Sequence, residues 1–344
     1  MQNNFPVLQT KNLKTQFFTE EGIVRAVDDI SFDVASGEVV GVVGESGCGK
    51  SVLARSIMRL LRPPGRTVDG QVIYHRPGTN NSGTDLISLD DDGDEIRSIR
   101  GGDITMIFQE PMASFSLVHT VGNQIIEGVL KHQDISKKEA RNLAIEMLGK
   151  VGIPNPDKRI DDYPFTLSGG MRQRCMIAMA LVNHPKLIIA DEPTTALDVT
   201  TQAQILELMA EIQSEFGMAM ILISHNLGVI AQMAEKVIVM YLGKIVEQGD
   251  VASIFNDPKH PYTQELLKSI PKLGRIRSTD KLSVIDGTVP PAYSIPSGCS
   301  FHPRCPKFVS GLCEVNDPTP ISVGTNHTAN CLLYSETHKE EPVK

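Results

Sequence analysis

Apolar residues along this chain fall into short unbroken runs and into longer stretches where they recur every three or four positions. The first pattern predicts buried strands and the second predicts helices. Run 38–43 predicts a strand, and 52–58 predicts a helix immediately after a glycine-rich loop. Run 187–190 predicts a buried strand ending in Asp191 and Glu192, and 220–224 predicts another strand. Residues 5 to about 43 are strand-rich, with Val7, Leu13, Ile23, Val27, Ile30, Phe32 and Val34 as core candidates. Helical spacing of Leu143, Ala144, Met147, Leu148 and Val151 predicts a helix over about 136–151. A second helix covers 201–214, burying Ile205, Leu206, Leu208, Met209 and Ile212. The turn signals Asn80-Asn81-Ser82-Gly83 and Asp90-Asp91-Asp92-Gly93 bracket a polar excursion between Thr67 and Arg100. Past His260-Pro261-Tyr262-Thr263, a helix to about Ile270 gives way to a Pro- and Cys-rich tail that reads as a separate, small, stapled unit.

The loop between the first strand and its helix carries chemistry. Gly44-Glu45-Ser46-Gly47-Cys48-Gly49-Lys50-Ser51 fits G-x-x-x-x-G-K-S in its required strand–loop–helix setting. Glycines let backbone N–H groups turn inward around an anion. The helix N-terminus adds partial positive charge. Lys50 is placed to reach terminal phosphates, and the Ser51 hydroxyl to hold Mg²⁺.

A second constellation narrows the class. Leu167-Ser168-Gly169-Gly170-Met171-Arg172-Gln173-Arg174 precedes an apolar helical run, 175–182. Ser168 stands where an N-cap would be. With Asp191-Glu192 following, the chain resembles the ATPase subunits of ATP-binding-cassette transporters. LSGG is similar to that family's signature sequence, and Asp191-Glu192 to its Walker B end. Gln109, after Met106-Ile107-Phe108, is similar to the Q-loop glutamine. Ala196-Leu197-Asp198 is similar to the D-loop, and His225 to the switch histidine. The resemblance spans roughly 5–335, with these motifs in the family's order.

The resemblance implies an α/β fold: a P-loop ATPase core with a parallel sheet, an antiparallel β subdomain, a helical signature subdomain over about 110–185 and a small Cys-rich C-terminal extension. It implies a nucleotide-binding domain over 5–258 and an extension over 259–335. ATP and Mg²⁺ are the implied cofactors. Ser51, Gln109 and, through water, Asp191 would hold the metal. Glu192 would polarise the attacking water, and His225 would contact the γ-phosphate. Ser168, Gly169, Gly170, Gln173 and Asp198 are implied nucleotide contacts, with the signature acting on ATP held by the opposite subunit of a head-to-tail dimer. The second subunit would be a copy or a paralogue. Two transmembrane permease subunits and, indirectly, an extracytoplasmic substrate-binding protein are the other implied partners. The implied location is the cytoplasmic face of the membrane, as a peripheral protein. For the adenine ring, the family uses an aromatic in the early strands. Phe17 and Phe18 are both available, with core packing equally open to either.

Composition limits the alternatives. Of 344 residues, 41% are hydrophobic, enough for a full core, and the net charge of −8 argues against a sequence-independent nucleic-acid binder. The N-terminal Met1-Gln2-Asn3-Asn4-Phe5-Pro6 lacks the basic and apolar regions of a signal peptide. Stretch 216–234, free of Asp, Glu, Lys and Arg, reads as strand, loop and helix, so no membrane span is expected. The rival reading is a soluble cassette ATPase acting on DNA or ribosomes. Such proteins carry coiled-coil or zinc insertions, or two cassettes on one chain.

Four of six cysteines cluster as Cys299-x₅-Cys305-x₇-Cys313-x₁₇-Cys331. Disulfides, zinc and an iron–sulfur cluster are all open to four thiols. Val289-Pro290, Pro296-Ser297-Gly298-Cys299 and Phe301-His302-Pro303-Arg304-Cys305-Pro306 resemble the C-terminal extension of oligopeptide- and dipeptide-importer ATPases. That resemblance implies a 4Fe–4S cluster in at least some members, held here by Cys299, Cys305, Cys313 and Cys331, with zinc as the alternative. Three stretches depart from the subfamily's usual pattern: Phe115-Ser116-Leu117, Tyr163-Pro164-Phe165-Thr166, and Asn226 after His225.

Overall fold

The structure is a computed structural model that describes residues 6–76, 83–195, 197–269 and 285–335, with Pro111 and Ala113 described by backbone alone. The predicted turn at 80–82, Ala196 of the D-loop and the expected helix end at Ile270 lie outside the described residues.

Twelve strands form two sheets among those residues. β1 (Pro6–Thr19), β2 (Gly22–Ala35), β4 (Gly65–Tyr74) and β5 (Thr84–Asp85) make an antiparallel sheet in the order β2-β1-β4-β5. β3 (Val39–Val43), β6 (Ile104–Ile107), β7 (Leu187–Asp191), β8 (Ala219–Ile223), β9 (Lys236–Tyr241), β10 (Lys244–Asp250), β11 (Ile321–Gly324) and β12 (His327–Ala329) make the second, in the order β11-β12-β10-β9-β3-β8-β7-β6. The stretch from β9 to β6 is parallel throughout. Every residue of β3, β6, β7 and β8 is buried. Strands covered on both faces read as continuous apolar runs, which is why the sequence announced three of them so clearly.

Most of the expected core is in place. Val7, Leu13, Val27, Ile30, Phe32 and Val34 are buried, but Ile23 is 50% exposed, because it sits beside the β1–β2 turn, paired with Phe18 at the end of the sheet. The helix expected over 136–151 runs Lys137–Lys150, started by a capping box in which Ser136 and Glu139 satisfy each other's backbone N–H. The helix expected over 201–214 runs Val199–Phe216, and its five predicted apolar residues are buried. With Val121–His132 and Gly169–Leu181, the first of these builds a helical layer beside the sheet.

The tail departs from expectation. Far from standing apart, residues 285–335 are built into the cassette. β12 pairs antiparallel with β10, extending the main sheet. The carboxylate of Glu247 on β10 is fully buried and accepts from the N–H groups of Lys259 (2.7 Å) and His260 (2.9 Å) and from His327 Nε2 (2.7 Å). Burial pushes the His260 imidazole down to about 3, so it is neutral, and its Nδ1 accepts from the Tyr262 N–H. Phe301 is wholly buried against the rings of Tyr241 and Tyr262, 5.2 and 5.3 Å away. A segment with so few apolar residues cannot enclose a core of its own, so Ile285 and Phe301 join the core of the cassette.

Candidate functional site

The phosphate loop links β3 to the helix Lys50–Ile57. Its glycines are dictated by space and backbone. Gly44 has φ 154°, and a Cβ there would lie 2.3 Å from the Met240 carbonyl oxygen; Gly49 has φ 105°, and a Cβ would lie 2.1 Å from that of Ala26. A cavity of about 290 Å³ opens over this loop, lined by Ser46, Gly47, Gly49, Lys50, Ser51, Gln109 and Glu192. Phe17 and Val24 form its apolar side. Phe18 instead points outward, with the Arg66 guanidinium 4.3 Å over its ring.

Lys50 is buried, and its Nζ donates to the carbonyls of Gly44 (2.8 Å) and Glu45 (3.0 Å). Ser51 Oγ donates to Asp191 Oδ1 at 2.9 Å. Burial raises the Asp191 carboxyl above its usual range, and the Glu192 charge adds to this, against the Ser51 hydrogen bond. A buried acid of this kind beside a hydroxyl is an oxygen donor set suited to a divalent cation, whose charge would hold the acid ionised.

Glu192 follows β7 with φ 47°, a left-handed conformation that turns its side chain off the strand direction. Its Oε2 accepts from Gln109 Nε2 (3.1 Å) and Thr195 Oγ1 (2.9 Å), and His225 Nδ1 stands 3.1 Å away. Residues 109, 192 and 225 are far apart in sequence and meet at one oxygen because β6, β7 and β8 end side by side. Thr195 belongs to none of the motifs above; its position three residues after Glu192 is the local signal that places it here.

The signature lies elsewhere. Ser168 caps Gly169–Leu181, its Oγ accepting from the Met171 N–H at 3.3 Å. Asp198 caps Val199–Phe216, accepting from Thr201 N–H and Oγ1, bonds that hold its carboxyl below the usual range. Ser168, Gly169, Gly170 and Asp198 do not line the cavity above the phosphate loop of their own chain. Gln173, expected to touch nucleotide, is 2% exposed inside the helical layer and does not line the cavity. Two loop residues also depart from that role at side-chain level. Cys48 is buried beneath the loop, its thiol raised by burial, and Glu45 faces the C-terminal segment.

The three departures leave the site intact. Phe115 is buried in the core, Tyr163 and Phe165 stack at 5.5 Å on the surface, and Asn226 caps Leu227–Met233 by accepting from the Gly228 N–H. All six cysteines are free of disulfides. Among the described residues, no helix is long and apolar enough to cross a membrane.

A glycine loop at a helix N-terminus, a lysine, a hydroxyl–aspartate pair and a glutamate at the end of the neighbouring strand define a P-loop ATPase. Residues 27–195 match the ABC transporter family model, and 246–313 match the model for the oligopeptide/dipeptide transporter C-terminal region. The chain is 48% identical to a putative peptide import ATP-binding protein of Brucella melitensis over 96% of this chain and 98% of that one. It is also 48% identical to the dipeptide transport ATP-binding protein DppD of Bacillus subtilis, over 96% and 95%. A solved dimeric cassette in a post-hydrolysis state with ADP and Pi superposes with a TM-score of 0.62 at 27% identity, covering 71% of this chain and 98% of that one. The chain belongs to the ATP-binding-cassette transporter family.

Proposed function

We propose that this chain is the ATP-hydrolysing subunit of a peptide importer, peripheral at the cytoplasmic face of the membrane. It would act with a second ATPase subunit, two transmembrane permease subunits and an extracytoplasmic substrate-binding protein. The observation that carries the catalytic part is the convergence of Gln109, Thr195 and His225 on Glu192 Oε2. A carboxylate so aimed can accept a proton from water in line with a γ-phosphate. Lys50 and the loop amides would bind the phosphates, while Ser51, Gln109 and Asp191 would hold Mg²⁺, which when bound would supply positive charge to offset that of the phosphates. His225, on the exposed side, holds the attacking geometry. Ser168, Gly169 and Gly170, at a capped helix N-terminus, would meet the γ-phosphate of ATP on the partner subunit. Binding of two ATP molecules between such subunits closes them, and hydrolysis releases them.

The relatives' names supply the cargo class: the proteins of Brucella melitensis and Bacillus subtilis are named for peptide and dipeptide import. Affinity purification from membranes tests this reading against the DNA or ribosome alternative. Integral membrane subunits should accompany the chain; ribosomes or DNA in their place would contradict the importer.

The likeness of the tail to the oligopeptide/dipeptide transporter C-terminal region supports reading the four clustered thiols as ligands of a 4Fe–4S cluster, with zinc as the alternative. The Cys299 N–H donates to the Cys313 carbonyl at 2.8 Å, Cys313 and Cys331 are buried, and burial pushes the Cys331 thiol up to about 12. Yet among the described residues no three His, Cys, Asp or Glu side chains converge closely enough to hold a single metal ion. A 4Fe–4S cluster would cross-link residues 299–331. Anaerobically purified protein should be brown and carry about four irons per chain, and Cys313→Ser should remove the colour. Colourless protein with one zinc per chain would overturn the cluster.

A further inference from the structure

The phosphate loop is gripped from outside by the C-terminal segment. Glu45 turns its carboxylate away from the cavity, and Arg304 receives it in a two-bond fork: Nη1 to Oε2 at 2.7 Å and Nη2 to Oε1 at 3.1 Å. The Arg304 side chain is only 4% exposed. It is itself fixed by Nε donating to the Asp286 carbonyl at 3.1 Å. The Glu45 N–H donates to the Tyr262 hydroxyl at 2.8 Å. The Glu45 carbonyl accepts from Lys50 Nζ. Every polar group of Glu45 is therefore occupied, two of the three by residues beyond position 258.

This grip has a physical consequence for ATP. Gly44 and Gly47, on either side of Glu45 and Ser46, have positive φ and few steric restraints of their own. A loop hinged on glycines loses conformational freedom when it closes on a polyphosphate, unless something already holds it. The bidentate guanidinium–carboxylate pair fixes direction as well as distance. The same segment also reaches the cavity wall, where Ala292 and Ile295 join its lining.

We propose that Arg304 is a positioning residue of the ATP site: by clamping Glu45 it presets the phosphate-loop backbone, and the C-terminal segment thereby sets nucleotide affinity. Cys305 is the next residue, so the clamp joins the four-thiol unit to the loop through one peptide bond. The inference rests on the ATP site alone and stands with or without a metal cluster.

The test is MgATP affinity of the full chain, measured by titration calorimetry well below each variant's unfolding midpoint. Arg304→Ala should weaken binding on the order of tenfold, the loss of a charge-assisted pair. Glu45→Gln should weaken it by a similar factor. The double variant should be no weaker than the worse single, because both remove one interaction. Arg304→Lys, which keeps the charge and loses the fork, should recover part of the affinity. In turnover, KM for ATP should rise while kcat at saturating ATP stays within about twofold, since Arg304 touches neither γ-phosphate nor water. Unchanged affinity in folded Arg304→Ala, or losses that add in the double variant, would overturn the clamp. Should Arg304→Ala fail to fold, Glu45→Gln and Arg304→Lys carry the test, and parental affinity in both overturns it. Lys50→Ala separates the two ideas: affinity lost there but not at Arg304 removes the clamp and leaves the ATP site standing.

Discussion

Glu192→Gln should lower ATP turnover by on the order of 10²-fold or more while ATP still binds. The replacement keeps size and polarity, and its amide oxygen can still accept from Thr195. It removes the negative charge on which the Gln109 and Thr195 donors converge with His225. Phosphate binding relies on Lys50 and the loop, which the change leaves alone, so the ATP-bound dimer should accumulate. Single-turnover hydrolysis and nucleotide binding, measured side by side, check this. Near-parental hydrolysis would show that Glu192 is not the base.

Lys50→Ala acts on binding itself. The ammonium is buried and held by the Gly44 and Glu45 carbonyls, so it is already aimed along the loop. Losing it removes a charge-assisted contact to phosphate and leaves two carbonyls with one donor fewer. Affinity for MgATP should fall tenfold to about a hundredfold. Equilibrium binding with a fluorescent ATP analogue measures the loss. Parental affinity would contradict the placement of phosphates on this loop.

The catalytic constellation was legible because its residues sit at ends of buried strands, and strands of a parallel sheet are continuous apolar runs ending in loops. Gly44 to Ser51, Asp191 and His225 each follow such a run directly. What the chain hid depends on parity and on distant partners. Phe17 and Phe18 are neighbours on β1 and face opposite sides. Register shifts on either side of Thr15 break the two-residue count, so periodicity could not say which ring faces the cavity. Gln173 lies in a signature motif, yet its place on the helix Gly169–Leu181 turns it inward, and nothing local distinguishes it from its half-buried neighbours Arg172 and Arg174. The tail's cysteines announced themselves by clustering. Its docking did not, because it depends on Glu247 meeting Lys259, His260 and His327, and on Arg304 meeting Glu45 across more than two hundred residues.

The central claim joins an ATPase site to peptide import. The chain should be purified with its membrane and ATPase partners, placed in liposomes, and assayed for hydrolysis with the substrate-binding protein outside and MgATP on the side of this chain. Adding a mixture of di- to pentapeptides should raise hydrolysis several-fold and carry peptide into the liposomes, and Glu192→Gln should abolish both. Hydrolysis and uptake indifferent to peptide, in a complex that hydrolyses ATP normally, would contradict the account.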